Sequence, residues 1–154
     1  MMVGIEVPAA VDGSWAVSPG RRRNMQANRS RDTGPELALR KLLHARGLRY
    51  RIAARPLPAL RRTVDLVFRR ARVAVFMDGC YWHGCPEHYR VPKQHTGYWS
   101  VKIATNVERD RDTDTRLLEA GWTVLRFWEH EDPEECAQTA WEAVHRAIAR
   151  AEPT

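Results

Sequence analysis

The fold is decided by one stretch of the chain, which reads Val73-Ala74-Val75-Phe76-Met77-Asp78-Gly79-Cys80-Tyr81-Trp82-His83-Gly84-Cys85-Pro86-Glu87-His88. Its first residues are almost all apolar, and such a run predicts a central β-strand that is buried on both faces. The residues that follow combine thiols, imidazoles, carboxylates and aromatic rings, which are groups used for metal binding, proton transfer and stacking. We therefore expect a central strand that delivers a functional cluster at its carboxyl end.

The cluster contains the C-x4-C-x2-H spacing of a tetrahedral zinc site, formed by Cys80, Cys85 and His88. A fourth ligand has to come from elsewhere in the chain. We favour His130, because it follows a strand that can lie beside the one ending at Cys80. The alternative is Cys136, whose place on an apolar helical stripe is also typical of a small buried hydrophobe. A zinc ion would hold both ends of the loop and leave His83, in its middle, free for chemistry.

Length and composition predict one globular domain. The chain has 154 residues, of which 44% are hydrophobic and 29% charged. The sequence contains no run of about 18 apolar residues, which a membrane span would need, and residues 1–20 lack the pattern of a secretory signal. Two closely spaced cysteines beside histidines favour a metal site in a reducing compartment over disulfides. We therefore expect a cytoplasmic protein without membrane contact.

Charge is segregated along the chain. The net charge is +6, and residues 21–72 carry sixteen Lys and Arg against three acidic residues, whereas residues 129–154 carry two against seven. A GC-rich genome could favour Arg over Lys, but it would not separate the charges in this way. The segregation predicts a basic surface for a nucleic acid and an acidic end that faces away from it.

The amino-terminal part divides into two segments. Residues 1–20 lack periodicity and predict a disordered tail. Residues 21–32 predict a basic arm that lies along phosphates, with a solvated linker as the alternative. The contacts of the arm would come from Arg21, Arg22, Arg23, Asn28, Arg29 and Arg31. The folded domain would include the arm and run over residues 21–154.

The remaining elements alternate between helix and strand, which predicts an α/β fold. Thr33 and Glu36 have the spacing of a capping box at the start of a helix that ends at Gly47. We predict strands at 48–52, 63–68, 73–78 and 122–128, a surface helix over 102–119 and a last helix from Asp132.

Two parts of this pattern are less regular. Residues 89–96 predict a polar loop, followed by an exposed aromatic pair at Tyr98 and Trp99. Val107, Leu117 and Leu118 predict the thin apolar face of the surface helix, whose Asp110 would be one more solvated charge.

One carboxylate interrupts a strand of β-branched and aromatic residues. Asp65 lies in the run 63–68, where an unpaired buried carboxylate would be costly. A salt bridge to an arginine is one explanation. The other is a hard cation such as Mg²⁺, held where a hairpin brings Asp65 towards Asp78 at the end of the next strand.

Four segments resemble the very short patch repair endonucleases: Asn24–Thr33, Asp78–His83, Asn106–Asp110 and Trp122–Glu129. The resemblance covers roughly residues 21–135, and its G-C-aromatic-W-H core and N-V-E-R-D run are the most specific parts. It implies a restriction-endonuclease-like fold, with a central mixed sheet flanked by helices and a structural zinc. It also implies a Mg²⁺-dependent enzyme that nicks double-stranded DNA on the 5′ side of the thymine in a T·G mismatch left by deamination of 5-methylcytosine.

The resemblance also implies roles for individual residues. Asp65 corresponds to the metal-binding aspartate and the Met77 carbonyl to a second Mg²⁺ ligand. His83 corresponds to the catalytic histidine and Asp110 to the acid that partners it. Glu36 corresponds to an acidic residue of the active site. The resemblance therefore raises Glu36 and Asp110 above the cap and the solvated charge that their local sequence predicts.

The resemblance extends to DNA recognition and to the zinc site. The aromatic wedge that enters the duplex beside the mismatch would be formed by Tyr81, Trp82 and Trp99. The zinc ligands would be Cys80, Cys85, His88 and His130, although some relatives have cysteine where this chain has His130. Asp78 replaces a histidine of some relatives, which leaves its role open. We expect a nucleoid-associated monomer acting on duplex DNA, with mismatch-repair proteins as candidate partners.

These implications combine into one mechanistic hypothesis. His83, held by Asp110, acts as general base towards water, and Mg²⁺ stabilises the developing charge. Two alternatives remain. One is a zinc-stabilised, non-catalytic DNA-binding module, and the other is a restriction-type endonuclease of the same fold that cleaves both strands without a mismatch.

Overall fold

The structure is a computed structural model that describes residues 31–91 and 93–152. The predicted tail and the arm residues before Arg31 lie outside the described residues. Arg31 is described, and its Nε lies 3.4 Å from a carboxylate oxygen of Asp32.

The described residues form one small α/β domain with a mixed four-stranded sheet, as the sequence predicts. In chain order its elements are α1 (Gly34–Ala45), β1 (Arg51–Ala54), β2 (Val64–Phe68), β3 (Val73–Asp78), α2 (Thr96–Glu119), β4 (Thr123–Trp128) and α3 (Pro133–Ala151). The strand order is β1-β2-β3-β4, with β1–β2 and β2–β3 antiparallel and β3–β4 parallel. No helix within these ranges is long and apolar enough to cross a membrane. The resemblance to restriction endonucleases stays a prediction.

The parallel pair β3–β4 determines where the loop cluster lies. Parallel strands need a crossover connection, and α2 supplies it. The last residues of the two strands, Asp78 and Trp128, lie opposite each other in the sheet. The Cys80 amide therefore donates to a Glu129 carboxylate oxygen at 2.9 Å. The loop after β3 and the turn after β4 thus meet at one edge of the sheet.

Helices cover both faces of the sheet, so β3 is buried as its apolar run predicts. On one face, residues of β2 and β3 pack against α1 and α3, and this cluster includes Leu39, Leu43, Leu66, Phe68, Val73, Val75, Cys136, Ala140 and Val144. On the other face, a second cluster contains Leu60, Val64, Val67, Ala74, Phe76, Leu117 and Trp122. The two clusters place the sheet in the middle layer of three.

The capping box at the start of α1 is confirmed. The Thr33 hydroxyl accepts from the Glu36 amide at 3.5 Å, and the Glu36 carboxylate accepts from the Thr33 amide at 3.0 Å. Such a cap contributes about 1 kcal/mol to helix stability. The helix ends at Ala45, shortly before Gly47, whose φ of 84° suits glycine.

Two boundaries and two exposures differ from the prediction. Strand β1 begins at Arg51, three residues later than predicted, and α2 begins at Thr96 instead of 102. The earlier start places the predicted exposed pair, Tyr98 and Trp99, within the helix, where Trp99 is buried at 9% exposure and Tyr98 is exposed as predicted. Leu118, placed on the apolar face by the prediction, is exposed because the buried stripe of α2 follows Trp99, Ile103, Thr113 and Leu117. Alternating charges in α2 obscured this spacing.

Candidate functional site

Two thiols and two imidazoles converge where the loop after β3 meets the turn after β4. Cys80 Sγ lies 3.1 Å from His130 Nδ1 and 3.9 Å from His88 Nδ1. Cys85 Sγ lies 3.7 Å from His88 Nδ1 and 3.8 Å from His130 Nδ1. Standard zinc bond lengths give tetrahedral sulfur–nitrogen edges of about 3.5 Å. These four residues could therefore hold a metal ion.

The two candidate fourth donors lie in different surroundings. His130 lies in this group, whereas Cys136 is buried in the hydrophobic cluster between α3 and the sheet. Burial, followed by nearby acidic residues, raises the pKa of Cys136 to about 11. The Cys136 thiol is thus a small core side chain, as the alternative interpretation predicted.

Successive tight turns bring the thiols together. The Cys85 amide donates to the Cys80 carbonyl at 3.0 Å, and the His83 amide donates to the Gly79 carbonyl at 3.2 Å. Gly84 has a φ of 68°, and a Cβ there would lie 3.3 Å from a methyl of Ile103 on α2. Glycine is therefore required at 84 for both the turn and the close approach to the helix.

A carboxylate lies behind one imidazole of the group. His130 directs Nδ1 towards the thiols, and its Nε2 lies 3.5 Å from a carboxylate oxygen of Glu87. Metal-binding histidines commonly have such a carboxylate on their second nitrogen, where it fixes the ring orientation. Glu87 belongs to the same loop as the thiols, so one loop supplies ligands and support.

His83, between the two thiols, forms a pair with an acid of α2. Its Nδ1 lies 2.5 Å from a carboxylate oxygen of Asp110 and 3.9 Å from one of Asp78. Burial alone would lower the pKa of His83, but the Asp110 hydrogen bond and the Asp78 charge outweigh it, and the pKa lies above its usual value. With Nδ1 directed at Asp110, Nε2 is the nitrogen left to exchange a proton with another molecule.

Asp65 and Glu36 form a second acidic group near the same edge. The Asp65 carboxylate accepts from the Met77 amide at 2.8 Å. Burial raises the pKa of Asp65 to about 7; the Met77 amide opposes this rise, and the carboxylates of Glu36 and Asp78 add to it. The hydrogen bond that the structure shows for Asp65 comes from an amide and not from an arginine, so the salt-bridge explanation of Asp65 gains no support. Neighbouring carboxylates that are largely shielded from water are better accommodated by a cation.

Glu36 caps a helix and also lies beside Asp65. Its carboxylate caps α1 through the Thr33 amide, and it is 4% exposed. The same carboxylate acts on Asp65 and lies 3.5 Å from Arg40. Asp78 follows Met77, which binds the Asp65 carboxylate, and an oxygen of Asp78 lies 3.9 Å from His83 Nδ1, so the carboxylate of Asp65 and the His83–Asp110 pair lie on either side of the same strand end.

The predicted aromatic residues form one cluster, in which Tyr81 and Trp82 of the loop after β3 pack against Trp99 near the start of α2. Ring centroids lie 5.0 Å apart for Tyr81 and Trp82, 5.8 Å for Tyr81 and Trp99, and 5.7 Å for Trp82 and Trp99. The Lys102 ammonium lies 5.6 Å from the Trp99 centroid and 5.7 Å from that of Trp82. The Asn106 side chain donates to the Trp82 carbonyl at 3.0 Å and so ties the loop to α2.

Comparison with known proteins identifies the family. Residues 17–88 match the family DNA mismatch endonuclease Vsr. The chain is 46% identical over 131 residues to type II nicking enzyme V.NaeI of Lentzea aerocolonigenes, which covers 84% of this chain and 79% of the relative. It is 41% identical over 110 residues to DNA mismatch endonuclease Vsr of Escherichia coli K12, covering 71% of this chain and 69% of the relative. The chain belongs to the Vsr family of DNA mismatch endonucleases.

Membership of the Vsr family makes the chain a DNA endonuclease, so the prediction of an enzyme is confirmed and the non-catalytic alternative is wrong. A further relative, type II nicking enzyme V.XorIIP of Xanthomonas oryzae pv. oryzae, is 42% identical over 117 residues and covers 75% of this chain and 84% of its own length. The family match ends at His88, so Asp110 and His130 complete their groups from outside it.

Sequence reasoning missed one residue of this Vsr-family site. Arg126 of β4 donates to both carboxylate oxygens of Asp78 at 3.0 Å and to those of Asp114 at 2.8 and 2.9 Å. The signal was available, because an arginine inside the run Trp122–Trp128 is as unusual as Asp65 in its strand.

Proposed function

We propose that this endonuclease nicks duplex DNA, with Mg²⁺, on the 5′ side of the thymine in a T·G mismatch produced by deamination of 5-methylcytosine. The observation that carries the proposal is geometric: Asp65 accepts from the Met77 amide, and the next residue, Asp78, lies 3.9 Å from the His83 nitrogen that is paired with Asp110. A paired base and a cation-binding acidic group are what hydrolysis of a phosphodiester requires. The names of the relatives, which include a mismatch endonuclease and nicking enzymes, support the substrate.

The acidic group fits a hard divalent cation. The Asp65 carboxylate and the Met77 carbonyl would hold Mg²⁺, with Glu36 beside them. Burial, with the nearby carboxylates of Glu36 and Asp78, raises the pKa of Asp65 to about 7, and a cation at this position would favour the ionised form. When bound, the ion supplies stabilisation of the negative charge that develops on the phosphate and the leaving oxygen.

His83 acts as the general base in this proposal. Asp110 holds the imidazole through Nδ1, so that Nε2 accepts a proton from the attacking water. The water oxygen then attacks phosphorus, the bond between phosphorus and the leaving sugar oxygen breaks, and that oxygen takes a proton from solvent water. The proton remains on the imidazole until solvent removes it, and Asp110 stabilises the positive charge.

The second metal is structural. Cys80, Cys85, His88 and His130 would hold Zn²⁺, because two thiolates and two imidazoles whose sulfur–nitrogen distances lie between 3.1 and 3.9 Å suit a four-coordinate ion. Three of these residues come from the loop and one from the turn after β4. A bound zinc would therefore fix the loop that carries His83 and the two aromatic residues before it.

The aromatic cluster supplies recognition. Tyr81 and Trp82, which pack on the buried Trp99, wedge into the duplex beside the mismatch, where opening a base step costs less than at a paired site. The basic arm, from Arg21 to Arg31, contacts the phosphates of the bound DNA. All these residues belong to one chain, and we infer that a monomer acts on each lesion in the nucleoid, where mismatch-repair proteins are candidate partners.

A nicking assay tests the proposal. One labelled duplex is prepared with T·G or with C·G at the same position, and wild type and Asp65→Ala are compared with and without Mg²⁺. We expect a single Mg²⁺-dependent nick 5′ to the mismatched thymine, lost in the variant. Asp112→Ala, which changes a partly exposed aspartate on the surface of α2, serves as the matched control and should cleave like wild type. Equal nicking of both duplexes would refute mismatch specificity, and cleavage of both strands at C·G would establish the restriction-type alternative.

A further inference from the structure

Arg126 ties three elements together behind the histidine. Its guanidinium, carried by β4, forms paired hydrogen bonds with Asp78 at the end of β3 and with Asp114 on α2. It also lies flat over Phe76, with the guanidinium carbon 4.0 Å from the ring centroid. Such a planar, doubly paired arginine has little freedom to move. Asp110, one turn before Asp114, receives a further contact from Arg126 Nη2 at its carbonyl, 3.4 Å away.

His83 has two carboxylates within reach of the same nitrogen. Asp110 is hydrogen-bonded to Nδ1, and an oxygen of Asp78 lies only 3.9 Å from that nitrogen. A small rotation of the ring would exchange one acceptor for the other and move Nε2 away from its position. The two acceptors differ in how closely Arg126 holds them: both oxygens of Asp78 accept from it at 3.0 Å, whereas its approach to the Asp110 carboxylate, at 3.8 Å, is too long for a hydrogen bond.

We propose that Arg126 is a positioning residue of this endonuclease, which occupies Asp78 and thereby keeps His83 paired with Asp110. The inference rests on the proposed role of His83 as general base. It assigns Asp78 the part that the sequence left open: this carboxylate is an anchor for the guanidinium instead of a second acceptor for the imidazole.

Burial explains why the anchor has to be an arginine. Asp78 is 6% exposed, and a buried carboxylate without a partner would destabilise the strand end that precedes the loop. Asp78, His83 and Asp110 have ligand atoms within 4.8 Å of one another, a set that could also hold a cation. At Asp78 the guanidinium takes the place that such an ion would need. Arg126 thus supplies both a permanent positive charge and hydrogen bonds of fixed direction.

The experiment compares Arg126→Met, Arg126→Lys, His83→Ala and the double variant Arg126→Met/His83→Ala in zinc-loaded protein on the T·G duplex. Misplacement of a catalytic group by about 1 Å can cost about 100-fold in rate. We therefore expect kcat of Arg126→Met to fall roughly 10- to 100-fold, with KM for DNA within about twofold of wild type. Arg126→Lys should recover part of the loss, because an ammonium group pairs with Asp78 but cannot bind both aspartates as a fork.

The double variant separates positioning from an independent role. If Arg126 acts through His83, adding Arg126→Met to His83→Ala should change the residual rate by less than about twofold. Losses that multiply, or an Arg126→Met kcat within about twofold of wild type, would overturn the inference. Wild-type kcat in His83→Ala would instead refute the proposed base, which distinguishes the two failures.

A matched variant controls for loss of folding. Arg46 also forms paired side-chain contacts between elements, to Glu134 at 2.9 Å and to Gln138 at 2.8 Å, and it joins the end of α1 to α3. Arg46→Met should lower Tm without changing kcat. If Arg126→Met does not fold, the kcat and KM of Arg126→Lys provide the test. A kcat equal to wild type in Arg126→Lys would mean that the pairing of the guanidinium with both aspartates does not position His83.

Discussion

The amide of Met77 donates a 2.8 Å hydrogen bond to the carboxylate of Asp65 across the hairpin of β2 and β3. This one contact fixes the carboxylate at the strand end that leads into the loop cluster. The hydrogen bond lowers the pKa of Asp65, but burial and the nearby carboxylates of Glu36 and Asp78 raise it by more. Asp65 is therefore fixed in position while its ionised form is disfavoured, which gives the first prediction.

Without Mg²⁺, stability should fall as pH rises through the Asp65 titration. The pKa of this carboxyl is raised from 3.8 to about 7 in the folded chain, so the folded state favours the protonated form. The contribution of Asp65 is fully present below pH 3.8 and is lost as pH rises towards and through 7. Asp65→Asn keeps an acceptor for the Met77 amide and should remove this part of the pH dependence.

Urea unfolding at about pH 5 and about pH 8, with zinc and without Mg²⁺, measures the effect. The variant should gain stability over wild type at the higher pH and lose nicking activity. Mg²⁺ should stabilise wild type more at the higher pH than at the lower, because protons compete for the same carboxylate. A variant that is less stable than wild type at the higher pH would show that Asp65 is a favourable structural contact.

Thiol chemistry should separate the three cysteines. Cys80 and Cys85 lie in the four-donor group, in a loop that a bound metal would hold closed, whereas Cys136 lies in the hydrophobic cluster between α3 and the sheet. A thiolate-selective reagent should modify no cysteine quickly in the zinc-loaded protein and two after a chelator is added. The third should react only on unfolding.

We expect wild type to retain one zinc per chain. His130→Ala should lose this zinc, whereas Cys136→Ala should keep it. The alanine at 136 removes buried volume from the cluster between α3 and the sheet, so we expect a stability loss of about 1 kcal/mol. Mass spectrometry of labelled peptides and zinc analysis provide the measurements. Loss of zinc in Cys136→Ala would make that thiol a ligand.

The aromatic cluster should govern choice of substrate more than folding. Trp82 is half-buried against Tyr81 and Trp99, so Trp82→Ala removes a ring that would stack on a base, a contact of about 1–3 kcal/mol. We expect the ratio of nicking at T·G to nicking at C·G to fall about tenfold or more, with a Tm close to wild type.

Trp141→Ala is the matched control. Trp141 of α3 packs against the hydrophobic cluster between that helix and the sheet, and its ring centroid lies 4.0 Å from that of His145. Its loss should lower Tm and leave the ratio of nicking unchanged. An unchanged ratio in Trp82→Ala would remove this ring from recognition.

The sequence predicted the parts of the site that depend on local order or on neighbouring strands. The Thr33–Glu36 box is local, and His130 could be placed beside Cys80 because parallel strands end at the same edge. The contact of His83 with Asp110 joins residues 27 positions apart and depends on how α2 packs across the sheet. Only the family pattern indicated it. Trp99 was misassigned because a helix that starts with glycine and aromatic residues resembles a loop.

The turn between the thiols gives the last prediction, which compares two glycines. Gly84 has a φ of 68° and little room for a Cβ beside Ile103, whereas at Gly97 on α2 an added Cβ would meet nothing within 4 Å. Gly84→Ala should destabilise the zinc-loaded protein by about 1–2 kcal/mol, since a left-handed backbone conformation strains alanine. Zinc should also be lost at lower chelator concentration, because the strain falls between two ligands.

Gly97→Ala should keep Tm at the wild-type value or raise it slightly, because alanine favours helix. Thermal unfolding and chelator titration of both variants provide the measurement, and equal effects at the two positions would mean that the turn is not under the constraint described.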